Sequence, residues 1–101
     1  MKDTLEIGQI IRSRSGRDKG KFMIIVGFYK DDYVYIADGS LRKSDKPKLK
    51  KIKHIAKTNV VSQEIAEVID SGGSVANMII IKELKQFNYE ITKEDRGKSI
   101  E

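Results

Sequence analysis

Gly8-Gln9-Ile10-Ile11-Arg12-Ser13-Arg14-Ser15-Gly16-Arg17-Asp18-Lys19-Gly20-Lys21-Phe22-Met23-Ile24-Ile25-Val26 is the stretch on which the reading of this chain turns. Two apolar runs flank residues 13–21, a segment with no apolar side chain and two glycines, Gly16 and Gly20. The flanks are short and β-branched, which favours strands over helices. The glycine-bearing middle reads as a loop. Phe22–Tyr29 is apolar or aromatic at nearly every position, so this strand is expected to be buried on most of its surface. The inward face of residues 7–13 stays open, because Ile10 and Ile11 are adjacent.

Working outward, Lys30-Asp31-Asp32 reads as a turn and Tyr33–Ala37 as the return strand of a hairpin. Asp38-Gly39 is a further turn signal. Residues 42–48 are polar and hold Pro47, the only proline. Residues 49–58 admit two readings. Leu49, Ile52 and Ile55 are spaced as in a helix, whereas Ile52-Lys53-His54-Ile55 fits a lysine-studded edge strand. A small barrel needs a fifth strand, and the second reading supplies it. Beyond Val60 the pattern turns helical. Ser62 is a candidate N-cap for Gln63–Asp70, with Ile65, Val68 and Ile69 on one face. Ser71-Gly72-Gly73 breaks that helix. Ser74 is a candidate cap for a second one over residues 75–87, with Val75, Met78, Ile79, Leu84 and Phe87 at near-helical spacing. The expected division is a β-domain over 1–58, a helical extension packed on it over 59–90, and a disordered tail over 91–101.

The 101 residues suffice for one domain. Absence of cysteine excludes disulfides and thiolate metal sites. With one histidine and no recognisable nucleophile, phosphate loop or ligand spacing, no catalytic set is legible, and no enzyme activity, metal or cofactor is expected. The N-terminus lacks the apolar segment of a secretory signal. No apolar run approaches the roughly 20 residues of a membrane span. A cytoplasmic monomer is the expectation.

The formal net charge is +5 and the pI about 9.4, and the charge is segregated. Residues 12–57 carry fourteen Lys or Arg against five Asp or Glu, and the rest of the chain is mildly acidic. Such a field is the electrostatic footprint of a polyanion binder, nucleic acid first. An anionic membrane surface is disfavoured, because the basic residues do not lie on an amphipathic helix.

Ser15-Gly16-Arg17-Asp18-Lys19-Gly20, followed by Phe22-Met23-Ile24-Ile25-Val26, resembles the KOW motif of ribosomal proteins and transcription elongation factors. The likeness extends over roughly residues 7–58, through Tyr33–Ala37, Asp38-Gly39 and Lys46-Pro47 to His54. There it resembles the archaeal and eukaryotic large-subunit ribosomal protein of the fourteen-e group and short bacterial KOW-domain RNA-binding proteins. The resemblance implies a mainly β fold, an SH3-like five-stranded barrel, to which the helical pattern adds two short C-terminal helices. It also implies binding of structured RNA, ribosomal RNA above all, in ribosome structure, assembly or translation. The other implied function is a protein-interaction module contacting ribosomal or transcription proteins.

The residues support RNA contact on their own chemistry. Gly16 and Gly20 let backbone N–H groups approach a phosphate with no Cβ in the way. Arg12, Arg14, Arg17, Lys19 and Lys21 surround that loop with donors, Arg as a fork and Lys as a point charge, and Ser15 lies within it. Asp18 would repel phosphate, so its expected role is to hold the loop by accepting N–H or Arg bonds. A second cluster, Arg42, Lys43, Lys48, Lys50, Lys51, Lys53 and His54, with Lys46 and Lys57, could follow an RNA backbone. Its plain alternative is a solvated edge strand. Tyr29, Tyr33 and Tyr35 have rings able to stack on bases. Alternating aromatics such as Tyr33 and Tyr35 are more often packing residues.

Overall fold

Ile10 and Ile11 are both buried, as are Met23, Ile24 and Ile25 in one run and Ile36 and Ala37 in another. Successive side chains of a strand point to opposite faces, so these strands are covered on both sides. That resolves the open face of residues 7–13. The computed structural model describes residues 4–100, with side chains as far as residue 93. Five strands form one antiparallel sheet: β1 (Gln9–Ser13), β2 (Phe22–Tyr29), β3 (Tyr33–Ala37), β4 (Lys48–Lys51) and β5 (Ile55–Val61). Their order is β4-β3-β2-β1-β5.

One face packs Ile11, Met23, Ile25, Val34, Ile36 and Ile55 into a core against Leu5, Ile7 and Ile52. The other presents Ile10, Ile24 and Ala37 to two helices, α1 (Gln63–Asp70) and α2 (Asn77–Ile100), which contribute Ile65, Ile80 and Leu84. Phe87 of α2 meets Phe22 edge-on at 4.9 Å between ring centroids. Deletion of either apolar layer would expose side chains that each stabilise by about 1.5–3 kcal/mol when buried.

The edges β4 and β5 are not paired with each other, so the sheet is open in its hydrogen bonding. Yet only a 3₁₀ turn, Ile52–His54, joins them. Three such residues rise about 6 Å, so the sheet must curl until its two edges approach there. Both ends of the turn are pinned: Ile52 N–H donates to Asp32 O and Arg14 N–H to His54 O, each at 2.8 Å. The edge strand expected over residues 52–55 is therefore corrected: Ile52–His54 form the 3₁₀ turn, and the strands lie on either side of it as β4 and β5. β5 also runs three residues beyond the expected domain boundary at Thr58.

α1 occupies the expected span, and Ser62 Oγ accepts from Ile65 N–H at 3.2 Å as its cap. α2 departs from expectation at both ends. It starts at Asn77 rather than Val75, because Ser44 reaches across and holds the lead-in. Ser44 N–H donates to Asn77 Oδ1 at 2.8 Å and Ser44 Oγ–H donates to Val75 O at 2.7 Å. Ser74 is exposed, and the first helical N–H groups end on Ala76 O instead. At the other end α2 continues to Ile100, where polarity suggested a disordered tail from Ile91; it is a long helix of 24 residues and not a short one. The tail reading rests on polarity and on Gly97, but Glu and Lys are good helix formers and a single glycine costs a helix only about 1 kcal/mol, so neither stops α2. Within α2, Ile80 is fully buried and Met78 is 73% exposed, which reverses the weight that spacing gave to Met78. No helix among the described residues is long and apolar enough to cross a membrane.

Candidate nucleic-acid interface

The basic loop of residues 13–21 closes the β1–β2 hairpin, and backbone bonds build it. Ser13 N–H donates to Lys21 O at 2.9 Å and Gly20 N–H donates back to Ser13 O at 2.8 Å. Inside that ring Lys19 N–H reaches Gly16 O and Lys21 N–H reaches Asp18 O. Gly16 and Gly20 have φ of 80° and 88°, values that a side chain makes costly. A Cβ at Gly20 would meet nothing within 4 Å, so its requirement is purely one of backbone conformation.

Side chains then tie the loop to its neighbours. Asp18 is 3% exposed, and its Oδ2 accepts from Arg42 Nε at 3.1 Å. Lys21 Nζ lies 3.8 Å from Asp18 and 3.9 Å from Asp38. Asp18 thus holds the loop, as its charge suggested, with the guanidinium supplied from the second basic cluster. Asp38 completes the arrangement. Its Oδ1 accepts from Ser40 and Arg42 N–H, shaping the segment that carries Arg42. The Asp38-Gly39 dipeptide marked a turn, and this further role had no sequence signal beyond that. Lys50 is 7% exposed and donates from Nζ to Ser15 O at 2.8 Å. Ser15 offers the loop a carbonyl here, and Ser13 Oγ–H donates to the same oxygen at 3.1 Å.

The structure therefore brings Arg42 and Lys50 against the loop by their side chains and His54 by its backbone carbonyl, all more than twenty residues away in sequence. It also sorts the cations. Lys21, Arg42 and Lys50 are engaged within the fold. Arg12, Arg14, Arg17, Lys19 and Lys43 are exposed, and none is ion-paired among the described residues. Lys48 is half-buried on β4. Among the described residues neither Lys51 nor Lys53 bonds to the loop, although their neighbours Lys50 and His54 do. Lys51 Nζ sits 5.8 Å from the Tyr33 ring centroid. Lys53 lines a cleft of about 810 Å³ with Leu5, Phe28, Asp31, Asp32 and Ile55. Among the described residues no group of three acidic, His or Cys side chains is placed to hold a metal ion. No family model matches the chain, and no curated protein matches it.

Proposed function

We propose that the chain binds structured RNA, ribosomal RNA in the first instance, through the loop of residues 13–21 and the cations beside it. The observation that carries this is a loop held in shape by the chain's own groups. A buried carboxylate, a buried ammonium and four backbone bonds fix it, while Arg14, Arg17 and Lys19 project unpaired into solvent. A loop backbone held in one shape loses little freedom on meeting phosphate, and phosphate contacts position a protein on RNA without reading sequence. No bond is made or broken in this role, and its setting would be ribosome structure, assembly or translation. The strand order β4-β3-β2-β1-β5 and the 3₁₀ turn between the edge strands support an SH3-like barrel of the KOW type as the scaffold.

A second reading, a protein-interaction module, is favoured by the 810 Å³ cleft, whose floor includes Leu5, Ile52 and the half-exposed Phe28.

The test compares two triple variants in binding to ribosomal RNA fragments. Arg14→Gln/Arg17→Gln/Lys19→Gln removes the projecting cations of the loop, and Lys82→Gln/Lys85→Gln/Lys93→Gln removes the same charge from α2. The loop variant should bind at least tenfold more weakly than the α2 variant, with both melting like the parent, because exposed charges contribute little to folding. The parent's log–log salt slope should be about −3.5 to −7, as for roughly five to eight phosphate contacts. Equal losses from the two variants would mean diffuse basicity and no site.

A further inference from the structure

We propose that Tyr29, Tyr33 and Tyr35, with Lys30 and Lys51, form a second contact that takes unpaired bases of a single-stranded RNA segment; this rests on the reading of the chain as an RNA binder. In β3, Val34 and Ile36 turn into the core, so Tyr33 and Tyr35 lie on the opposite face. The helices cover that face over Ile10, Ile24 and Ala37 and leave the tyrosines half-buried. Tyr29 pairs with Tyr33 across the hairpin and is 40% exposed. Its ring stands edge-on to both others, with centroids 6.2 Å from Tyr33 and 6.1 Å from Tyr35. Tyr35 also lines a groove of about 390 Å³ with Val26, Pro47, Ile69 and Val75, which gives the patch an apolar continuation.

The cations select the partner. Lys30 Nζ lies 5.2 Å from the Tyr29 centroid and Lys51 Nζ 5.8 Å from that of Tyr33. Neither ammonium is ion-paired among the described residues. Asp31 and Asp32 follow Lys30 in the turn and line a cleft with Lys51, so the local charge is mixed. Yet neither carboxylate pairs with Lys30 or Lys51 among the described residues, and aromatic rings beside such ammonium groups match a strand of bases on a phosphate backbone. Lys30 adds an independent sign. It is the one described non-glycine residue at positive φ, 55°, a conformation that Gly or Asn adopts more readily. A lysine held there costs stability and positions a cation over the aromatic patch.

The chain has no tryptophan and four tyrosines, so in a Tyr89→Phe background the patch supplies all the tyrosine emission. We would titrate this protein with oligouridylate and with a blunt RNA duplex. Stacking should quench emission with oligouridylate and leave it nearly unchanged with the duplex. Tyr29→Ala/Tyr33→Ala should weaken oligouridylate binding about tenfold or more, the scale of a lost base stack, and duplex binding by less than about twofold. Lys30→Asn should keep or raise the melting temperature and still weaken oligouridylate binding. If the tyrosine pair fails to fold, Lys30→Asn/Lys51→Gln decides by the same comparison. The patch is overturned if these variants lose no more oligouridylate affinity than Lys82→Gln/Lys85→Gln. In that case, duplex binding that still depends on Arg14, Arg17 and Lys19 leaves the RNA reading standing. If the parent binds neither RNA, both readings fall.

Discussion

Asp18→Asn sets two accounts of the basic loop against each other. The carboxylate is 3% exposed, receives Arg42 Nε at 3.1 Å and lies 3.8 Å from Lys21 Nζ. Asn keeps the shape and one acceptor but removes the charge. A hydrogen bond to a charged partner contributes about 1.5–3 kcal/mol, and Arg42, with its side chain 31% exposed, sits toward the weaker end of that range. A loss of about 1–2 kcal/mol follows, or roughly 5–15 °C in melting temperature for a domain of this size. The effect on RNA separates the accounts. The substitution raises the net charge by one, so binding by diffuse basicity should tighten, by up to about eightfold near 0.1 M salt. If instead the loop must be held in one shape, the variant binds competently only for the fraction of time that the shape survives, and affinity falls at least about threefold. Thermal unfolding by circular dichroism and filter binding to one ribosomal RNA fragment, at one salt concentration, give both numbers. Tighter binding by Asp18→Asn would refute the preformed-loop argument, whatever the melting temperature does.

Two further outcomes test the scaffold. Ile80→Ala should cost about 2–5 kcal/mol in urea unfolding, because Ile80 is fully buried between α2 and the sheet, whereas Met78→Ala, at 73% exposure, should change stability by less than about 0.5 kcal/mol. Gly20→Val should destabilise the β1–β2 hairpin through its backbone alone, since no atom lies within 4 Å of the added Cβ; amide exchange of Met23 and Ile24 should speed up even though the basic side chains of the loop are untouched.

How far the fold is legible follows from which signals are local. The hairpin Phe22–Tyr29/Tyr33–Ala37 is set by composition and turn residues within sixteen positions, and its bounds match the reading. α1 has its cap, its apolar face and its glycine stop in one contiguous stretch, and it too matches. Residues 48–61 are different. Their break into β4, a 3₁₀ turn and β5 depends on Asp32 and Arg14, which hold the ends of the turn from distant parts of the chain. No periodicity within the segment encodes those partners. The start of α2 is likewise set by Ser44, some thirty residues upstream. Its far end is misjudged for another reason. Polarity and a lone glycine do not by themselves end a helix, and α2 runs through Gly97 to Ile100.

The candidate site divides along the same line. Segregated charge and the two glycines locate the loop, because charge is a property of residue type and glycine takes positive φ at little cost. They do not say which cations remain free. Lys50 and Lys51 are adjacent in β4 and alike in sequence. One turns inward to Ser15 O and the other outward to the Tyr33 ring. Strand alternation separates them, and only the pairing of Val34 with Lys50 and of Tyr33 with Lys51 decides which goes where. A shift of one residue in that register would exchange an internal tie for a surface cation and leave the composition untouched. The functional content of a basic cluster on a sheet edge therefore lies in its register, and a count of lysines measures the field around such a site without identifying the residues that touch the ligand.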